Sequence, residues 1–155
     1  MYVFDTSPLS ELFRSYYRSR FPTLWELFDE LVQDGLIIST REVAREMEKY
    51  SRGGFEEWMK QNKDVFSTPT VMEAEFVRKI YEVERFRQNI EYKKIQKGGF
   101  NADPFVIAKA AVNNAIVGTL EIERPGAVGI PNICRHFGIE CFNLEDFMEA
   151  EGWEF

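Results

Sequence analysis

Five short apolar runs, each separated from the next by stretches of helical spacing, constrain the fold of this chain more than any other feature. They are YVF at residues 2–4, LIIS at 36–39, VFS at 65–67, IVGT at 116–119 and IECF at 139–142. A run this short and this apolar reads as a strand covered on both faces rather than as an amphipathic strand beside water. Strands that alternate with helices are joined by crossovers and lie parallel. The expected class is α/β: three layers, α/β/α, around a parallel five-stranded sheet.

The intervening stretches carry helix signals. Leu9, Leu12, Phe13, Tyr16 and Tyr17 follow Ser7-Pro8 at helical spacing, and Thr23-Leu24-Trp25-Glu26 has the form of a capping box for a second helix that Gly35 stops. A third helix is expected from Thr40, with Val43, Ala44 and Met47 inward. The chain is expected to break at Gly53-Gly54 before a short helix with Phe55, Trp58 and Met59. Thr70-Val71-Met72-Glu73 is a second capping box, opening one long helix to about Lys94, with Gly98-Gly99 as its stop. Asp103 is expected to cap the next helix, with Pro104 in its first turn. A loop with Pro125, Gly126 and Pro131 and a last helix begun by Asn143 complete the chain. At 155 residues and 45% hydrophobic composition, one core and a single domain over residues 1–155 are expected.

Composition excludes several functions. MYVFDTSPLSELF lacks the basic flank and long apolar run of a secretory signal, and nowhere do 18 apolar residues run together, so a cytoplasmic protein with no membrane role is expected. Cys134, His136 and Cys141 form C-x-H-x4-C, three zinc-type ligands without a fourth at usual spacing; two reduced thiols and a surface histidine are the simpler reading. No glycine-rich phosphate loop follows any strand, and His136, the only histidine, has no G-x-S-x-G to serve. A phosphoacceptor domain would want a paired acid beside the first and a lysine after the last strand, and neither is evident.

The net charge of −7 argues against gripping nucleic acid by bulk electrostatics. The charge is uneven, however. Residues 77–97 hold seven basic side chains (Arg78, Lys79, Arg85, Arg87, Lys93, Lys94, Lys97) against Glu82, Glu84 and Glu91, whereas residues 140–155 hold six acids and no base. A solvated helix face beside an acidic tail is the simpler reading; the sharper one is a helix that meets a phosphate backbone although the molecule is acidic.

In parallel sheets, ligands sit beyond the carboxyl ends of the strands. Asp5 ends the first strand, with Thr6 and Ser7 after it. The helix after the second strand carries Glu42 and Glu46 four residues apart, Asp103 opens the helix entering the fourth, and that strand exits toward Glu121 and Glu123. Any one of these has a bland structural explanation. Together they imply carboxylates that repel one another unless a cation intervenes, and oxygen donors of this kind suit magnesium or manganese.

With these residues in view, the chain resembles the PIN-domain family of metal-dependent ribonucleases. MYVFDTSPL is similar to that family's first strand and first acid, V-x-x-E at Val43 to Glu46 to its second, DPFVIAKA to its D-x-x-I-A-x-A helix, and IVGTLE to its V-V-T-x-D strand end. IPNICRHFGIECFNL looks like the end of an uncharacterised prokaryotic branch. The resemblance implies sheet order 3-2-1-4-5 and a nuclease, a hydrolase, with one or two Mg2+ or Mn2+ ions that cuts RNA. Position by position, it implies Asp5, Glu46, Asp103 and Glu121 as catalytic and metal-binding acids, Thr119 as an accompanying hydroxyl, and Thr6 beside the first acid in support; Glu42 and Glu123 are less certain members. Where the family usually has aspartate in fourth place, this chain has Glu121, with Glu123 as competitor. It further implies an endoribonuclease that is the toxin of a toxin-antitoxin pair, with an antitoxin protein as partner and a homodimer as assembly. Arg45, Lys49 and Lys109, near the acids in sequence, are candidates to position the RNA backbone. The alternative is a catalytically inactive PIN-like module that acts through a protein partner.

Overall fold

The sheet has strand order β3-β2-β1-β4-β5, and every neighbouring pair is parallel. A computed structural model describes residues 1–49 and 54–155 of the chain. Its strands are β1 (Tyr2–Phe4), β2 (Ile37–Thr40), β3 (Phe66–Ser67), β4 (Ile116–Gly118) and β5 (Cys141–Phe142). The described helices are α1 (Thr6–Ser15), α2 (Pro22–Gln33), α3 (Arg41–Glu48), α4 (Phe55–Gln61), α5 (Val71–Glu82), α6 (Glu84–Gln96), α7 (Asp103–Asn113), α8 (Ile130–His136) and α9 (Leu144–Ala150), with a 3-10 turn at Lys63–Val65. The architecture is the expected three-layer α/β/α arrangement in the expected order.

Side chains alternate across β1, so Tyr2 and Phe4 share one face and Val3 takes the other. Phe4 packs against Phe28 of α2 and Phe147 of α9, with ring centroids 5.8 and 5.1 Å apart. On the opposite face α7 lies against β1, β2 and β4, with Val106, Ile107 and Ala110 fully buried. Small side chains on α7 permit this close approach. Strand order reverses between β1 and β4, where successive crossovers change faces, and that reversal opens a crevice at the carboxyl edge. No described helix is long and apolar enough to cross a membrane.

Several local expectations hold. Thr40 caps α3 by accepting from the Val43 N–H, and the Thr70/Glu73 capping box is complete. Asn143 caps α9, in a box closed by Asp146. The expected break at Gly53-Gly54 lies partly outside the described residues; Gly54 itself precedes α4 with φ +83°, a left-handed conformation suited to glycine.

Others are corrected. No capping box forms at Thr23, because α2 starts at Pro22, two residues before the Leu24 start that a Thr23 cap implies, and Pro22's fixed φ and missing N–H suit a first turn. The long helix expected from Thr70 to about Lys94 is two helices, divided at Val83, which is extended (φ −84°, ψ 105°). Ile80 and Phe86 would lie roughly 120° apart around one continuous helix, yet both are fully buried. Breaking the helix between them lets both reach the core. The expected loop of residues 120–138 contains α8, since Pro131 falls in that helix's first turn and opens it rather than interrupting it.

Candidate active site

Asp5 is the first residue past β1, and its N–H donates to the Gly118 carbonyl at 2.9 Å. The β1/β4 ladder therefore extends to Asp5 itself, and the sheet holds the carboxylate at the crevice. Only 5% of the residue is exposed. Its Oδ2 accepts from Ser7 Oγ and Thr119 Oγ1, each at 3.2 Å. Thr119 Oγ1 also accepts the Glu121 N–H at 3.2 Å, so one hydroxyl joins the first acid to the backbone of the fourth.

Glu46 lies on the buried side of α3. Its Oε2 accepts from Thr6 Oγ1 at 2.6 Å, while Oε1 accepts from the Ala102 N–H at 2.9 Å and from Lys97 Nζ at 3.2 Å. The Thr6 hydroxyl thus serves the second acid, and only its backbone bonds to the first.

Asp103 does not cap α7. It is the first helical residue, Ala102 is the N-cap without a side-chain bond, and Asn101 Oδ1 accepts the Asp103 N–H at 3.1 Å. The Phe105 and Val106 N–H groups that a capping Asp103 would serve donate to the Ala102 carbonyl, at 3.0 and 3.1 Å, and the Asp103 carboxylate faces the crevice: Oδ1 accepts from Lys97 Nζ at 3.3 Å and Oδ2 from Lys93 Nζ at 3.1 Å.

Glu121 follows β4. Its Oε1 accepts from Lys93 Nζ at 3.1 Å, and its Oε2 accepts the Ile130 N–H at 2.7 Å, satisfying a free donor at the start of α8. A Cβ at Gly129 would stand 2.7 Å from Glu121 Oε2 and would push that carboxylate aside.

These four acids line one cavity of about 530 Å³, together with Thr6, Ser7, Lys49 and Lys97. Burial pushes the Asp5 carboxyl up to about 7, helped by the negative charges of Asp103, Glu121 and Glu46 and opposed by the backbone hydrogen bond at Thr6. Burial draws the ammoniums of Lys93 and Lys97 down, but the adjoining carboxylates outweigh it and hold both above the usual lysine value.

The remaining candidates lie elsewhere. Glu42 is buried one turn before Glu46, but it does not line the cavity; its Oε1 pairs with Arg41 at 3.0 Å and its Oε2 has no hydrogen-bond partner among the described residues. Glu123 is exposed and pairs with Arg135 at 2.6 Å, which leaves Glu121 as the cavity acid after β4. Of the three basic candidates, Lys49 is at the cavity wall and Arg45 is exposed. Lys109 is buried, 3.8 Å from Glu73 and hydrogen-bonded to Ser67. Cys134 is buried, and a hydrogen bond with Cys141 together with burial pushes its thiol up. His136 is packed edge-on against Phe86 and Phe137, at centroid distances of 5.2 and 4.8 Å.

Lys93 and Lys97 were not among the residues expected at the site. The basic excess of residues 77–97 was visible, but the direction of these two side chains depends on the break at Val83 and on the turn at Gly98-Gly99. Among the described residues no trio of His, Cys, Asp or Glu forms a ready-made metal cage. The donor chemistry nonetheless fits a hard divalent cation, being carboxylate oxygen with hydroxyls behind it and no soft ligand. The two ammoniums lie between the carboxylates, where positive charge is required.

The chain belongs to a family of domains of unknown function, DUF4411, whose model matches residues 2–155. No curated protein matches it.

Proposed function

We propose that this protein is a PIN-like, metal-dependent endoribonuclease that hydrolyses RNA phosphodiester bonds. One observation carries the reading: Asp5, Glu46, Asp103 and Glu121, from four separate segments, line a single cavity at the carboxyl edge of the sheet. A nearly buried cluster of carboxylates is costly unless cations balance it.

In this reading the four acids hold Mg2+ or Mn2+, which when bound supplies Lewis acidity and a lowered pKa for water. The chain's own residues position these ligands. Ser7 and Thr119 donate to one oxygen of Asp5 and orient its carboxylate, and Thr6 does the same for Glu46. Without a cation Asp5 holds its proton up to about pH 7; beside a bound divalent ion that carboxyl would be drawn down again and kept as a ligand, with the proton of the attacking water passing to solvent. The water oxygen bonds to phosphorus as the bond to the 3′-oxygen breaks, and that oxygen leaves with a proton. The products are a 5′-phosphate and a 3′-hydroxyl. Lys49, at the cavity wall, supplies positive charge to the RNA backbone.

The reading extends to a cytoplasmic homodimer acting as the toxin of a toxin-antitoxin pair, with an antitoxin that covers the acidic cavity. A second reading, a catalytically inactive module that binds a protein partner, is favoured by the ion pairs of Lys93 and Lys97, which already balance part of the acidic charge. Cleavage of single-stranded RNA with MnCl2 or MgCl2 separates the two. The nuclease reading expects metal-dependent cleavage that falls at least about 100-fold in Asp5→Asn and Asp103→Asn, the scale of a lost essential group. Cleavage unchanged in both variants removes the assigned site, and no cleavage by the parent with either metal favours the module.

A further inference from the structure

The acids of the cavity have their own cations, Lys97 in its wall and Lys93 beside it. Lys93 Nζ bridges Asp103 Oδ2 and Glu121 Oε1, both at 3.1 Å, and Lys97 Nζ bridges Glu46 Oε1 at 3.2 Å and Asp103 Oδ1 at 3.3 Å. Two lysines thus link three of the four acids in a chain, Glu46–Lys97–Asp103–Lys93–Glu121. Asp5, which neither ammonium contacts within ion-pair distance, faces the cavity with hydroxyl partners.

The lysines are placed there by the fold. They are four residues apart, on one face at the C-terminal end of α6. Gly98 and Gly99, both at positive φ, end the helix with bonds from Gly98 N–H to Ile95 O (3.2 Å) and from Gly99 N–H to Lys94 O (2.8 Å). Lys49 Nζ donates to the Lys97 carbonyl at 2.6 Å. Asn101 secures the same turn: its Oδ1 accepts from Lys97 Nζ at 3.2 Å and from the Asp103 N–H, and its Nδ2 donates to the Ile90 carbonyl at 3.3 Å. The stems of Lys93 and Lys97 are long and flexible, however, and both side chains keep a partly open route to solvent, with 24% and 35% of their surface exposed. Each ammonium is therefore able to withdraw without unfolding α6.

We propose that Lys93 and Lys97 are displaceable internal counter-ions, and that a divalent metal enters this site by competing with them for Glu46, Asp103 and Glu121. This rests on the metal-dependent reading above. Competition has two consequences. Metal affinity is lower than four carboxylates would otherwise give, and an ion of one positive charge gains little by replacing a tethered ammonium, so the site favours divalent over monovalent cations. Once displaced, the two ammoniums remain at the cavity rim, where they meet the phosphate of an incoming strand.

Calorimetric titration of the full chain with MnCl2 tests this without reference to cleavage. Lys97→Gln and Lys93→Gln are each expected to bind Mn2+ at least about tenfold tighter than the parent, while Lys97→Arg, which keeps the charge, stays within about threefold of it. Circular dichroism establishes that each variant is folded; should one glutamine variant fail to fold, the other carries the test. Equal or weaker binding by the glutamine variants overturns the competition and leaves the metal site standing. No Mn2+ binding at millimolar concentration by the parent or any variant overturns the metal reading and the competition with it.

Discussion

Gly118 faces the ring of Phe4 across the β1/β4 pair so closely that a Cβ at Gly118 would lie 2.8 Å from Phe4 Cδ1. Phe4 cannot retreat, because Phe28 and Phe147 pack against it from the helical layer. The contact matters for the site because the Gly118 carbonyl holds the Asp5 N–H and Thr119 follows directly. Gly118→Ala is expected to cost about 2 kcal/mol through overpacking and to lower metal affinity as well. Urea denaturation and a manganese titration of the same variant check the pair of effects; loss of neither would show that the strand end tolerates the shift.

Asp5→Asn is expected to stabilise the protein above neutral pH while abolishing the proposed RNA cleavage. The folded-state pKa of about 7 lies above the ordinary value of 3.8. The folded form therefore holds its proton more tightly than the unfolded chain, and the stability this contributes is full below about pH 4 and lost as pH rises through 7. Denaturation curves from pH 4 to 8 should show the parent losing stability on the order of 3 kcal/mol from this group, with Asp5→Asn losing much less over the same window. Parallel curves for both proteins would mean that Asp5 ionises normally.

Thr119→Val removes a hydroxyl that donates to Asp5 and accepts from Glu121 N–H in a nearly waterless position. The expected cost is about 1–2 kcal/mol, with a larger proportional loss of cleavage than of RNA binding, because the acids lose alignment while the basic groups are untouched. Comparing cleavage rates with RNA affinity in the absence of metal separates alignment from binding.

Lys109 and Glu73 form an almost fully buried pair between α7 and α5, away from the cavity, with Glu73 also closing the capping box of α5. Burial draws the Lys109 ammonium down despite the acid beside it. Lys109→Met strands the Glu73 charge and is expected to cost about 3 kcal/mol; adding Glu73→Gln should return part of that loss. Thermal unfolding of the single and double variants measures it, and equal stability of all three proteins would remove the structural role assigned to the pair.

The five strands were legible because each is short, largely apolar and set between stretches of helical spacing, and Asp5 was legible because it directly follows the first. The division of residues 71–96 into two helices was not, since no proline or glycine marks Val83 and the break is imposed by burial of Ile80 and Phe86. That break and the Gly98-Gly99 turn direct Lys93 and Lys97 inward, so their role was hidden within a basic stretch that suited an outward-facing surface. Asp103 stands at the cavity but does not cap, because the Phe105 and Val106 N–H groups that such a cap would serve donate to the Ala102 carbonyl. In sequence Glu121 is favoured as the fourth acid with Glu123 as competitor; the start of α8, hidden behind Pro131, separates them by offering the Ile130 N–H to Glu121.

The most direct test of the central claim is an anomalous difference map from crystals grown or soaked with MnCl2. The account predicts a manganese peak in the cavity coordinated by Asp5 and Asp103, with Lys97 withdrawn from the Asp103 carboxylate. A map without manganese among these acids at millimolar metal, and with Lys93 and Lys97 still bridging Glu46, Asp103 and Glu121, would contradict it.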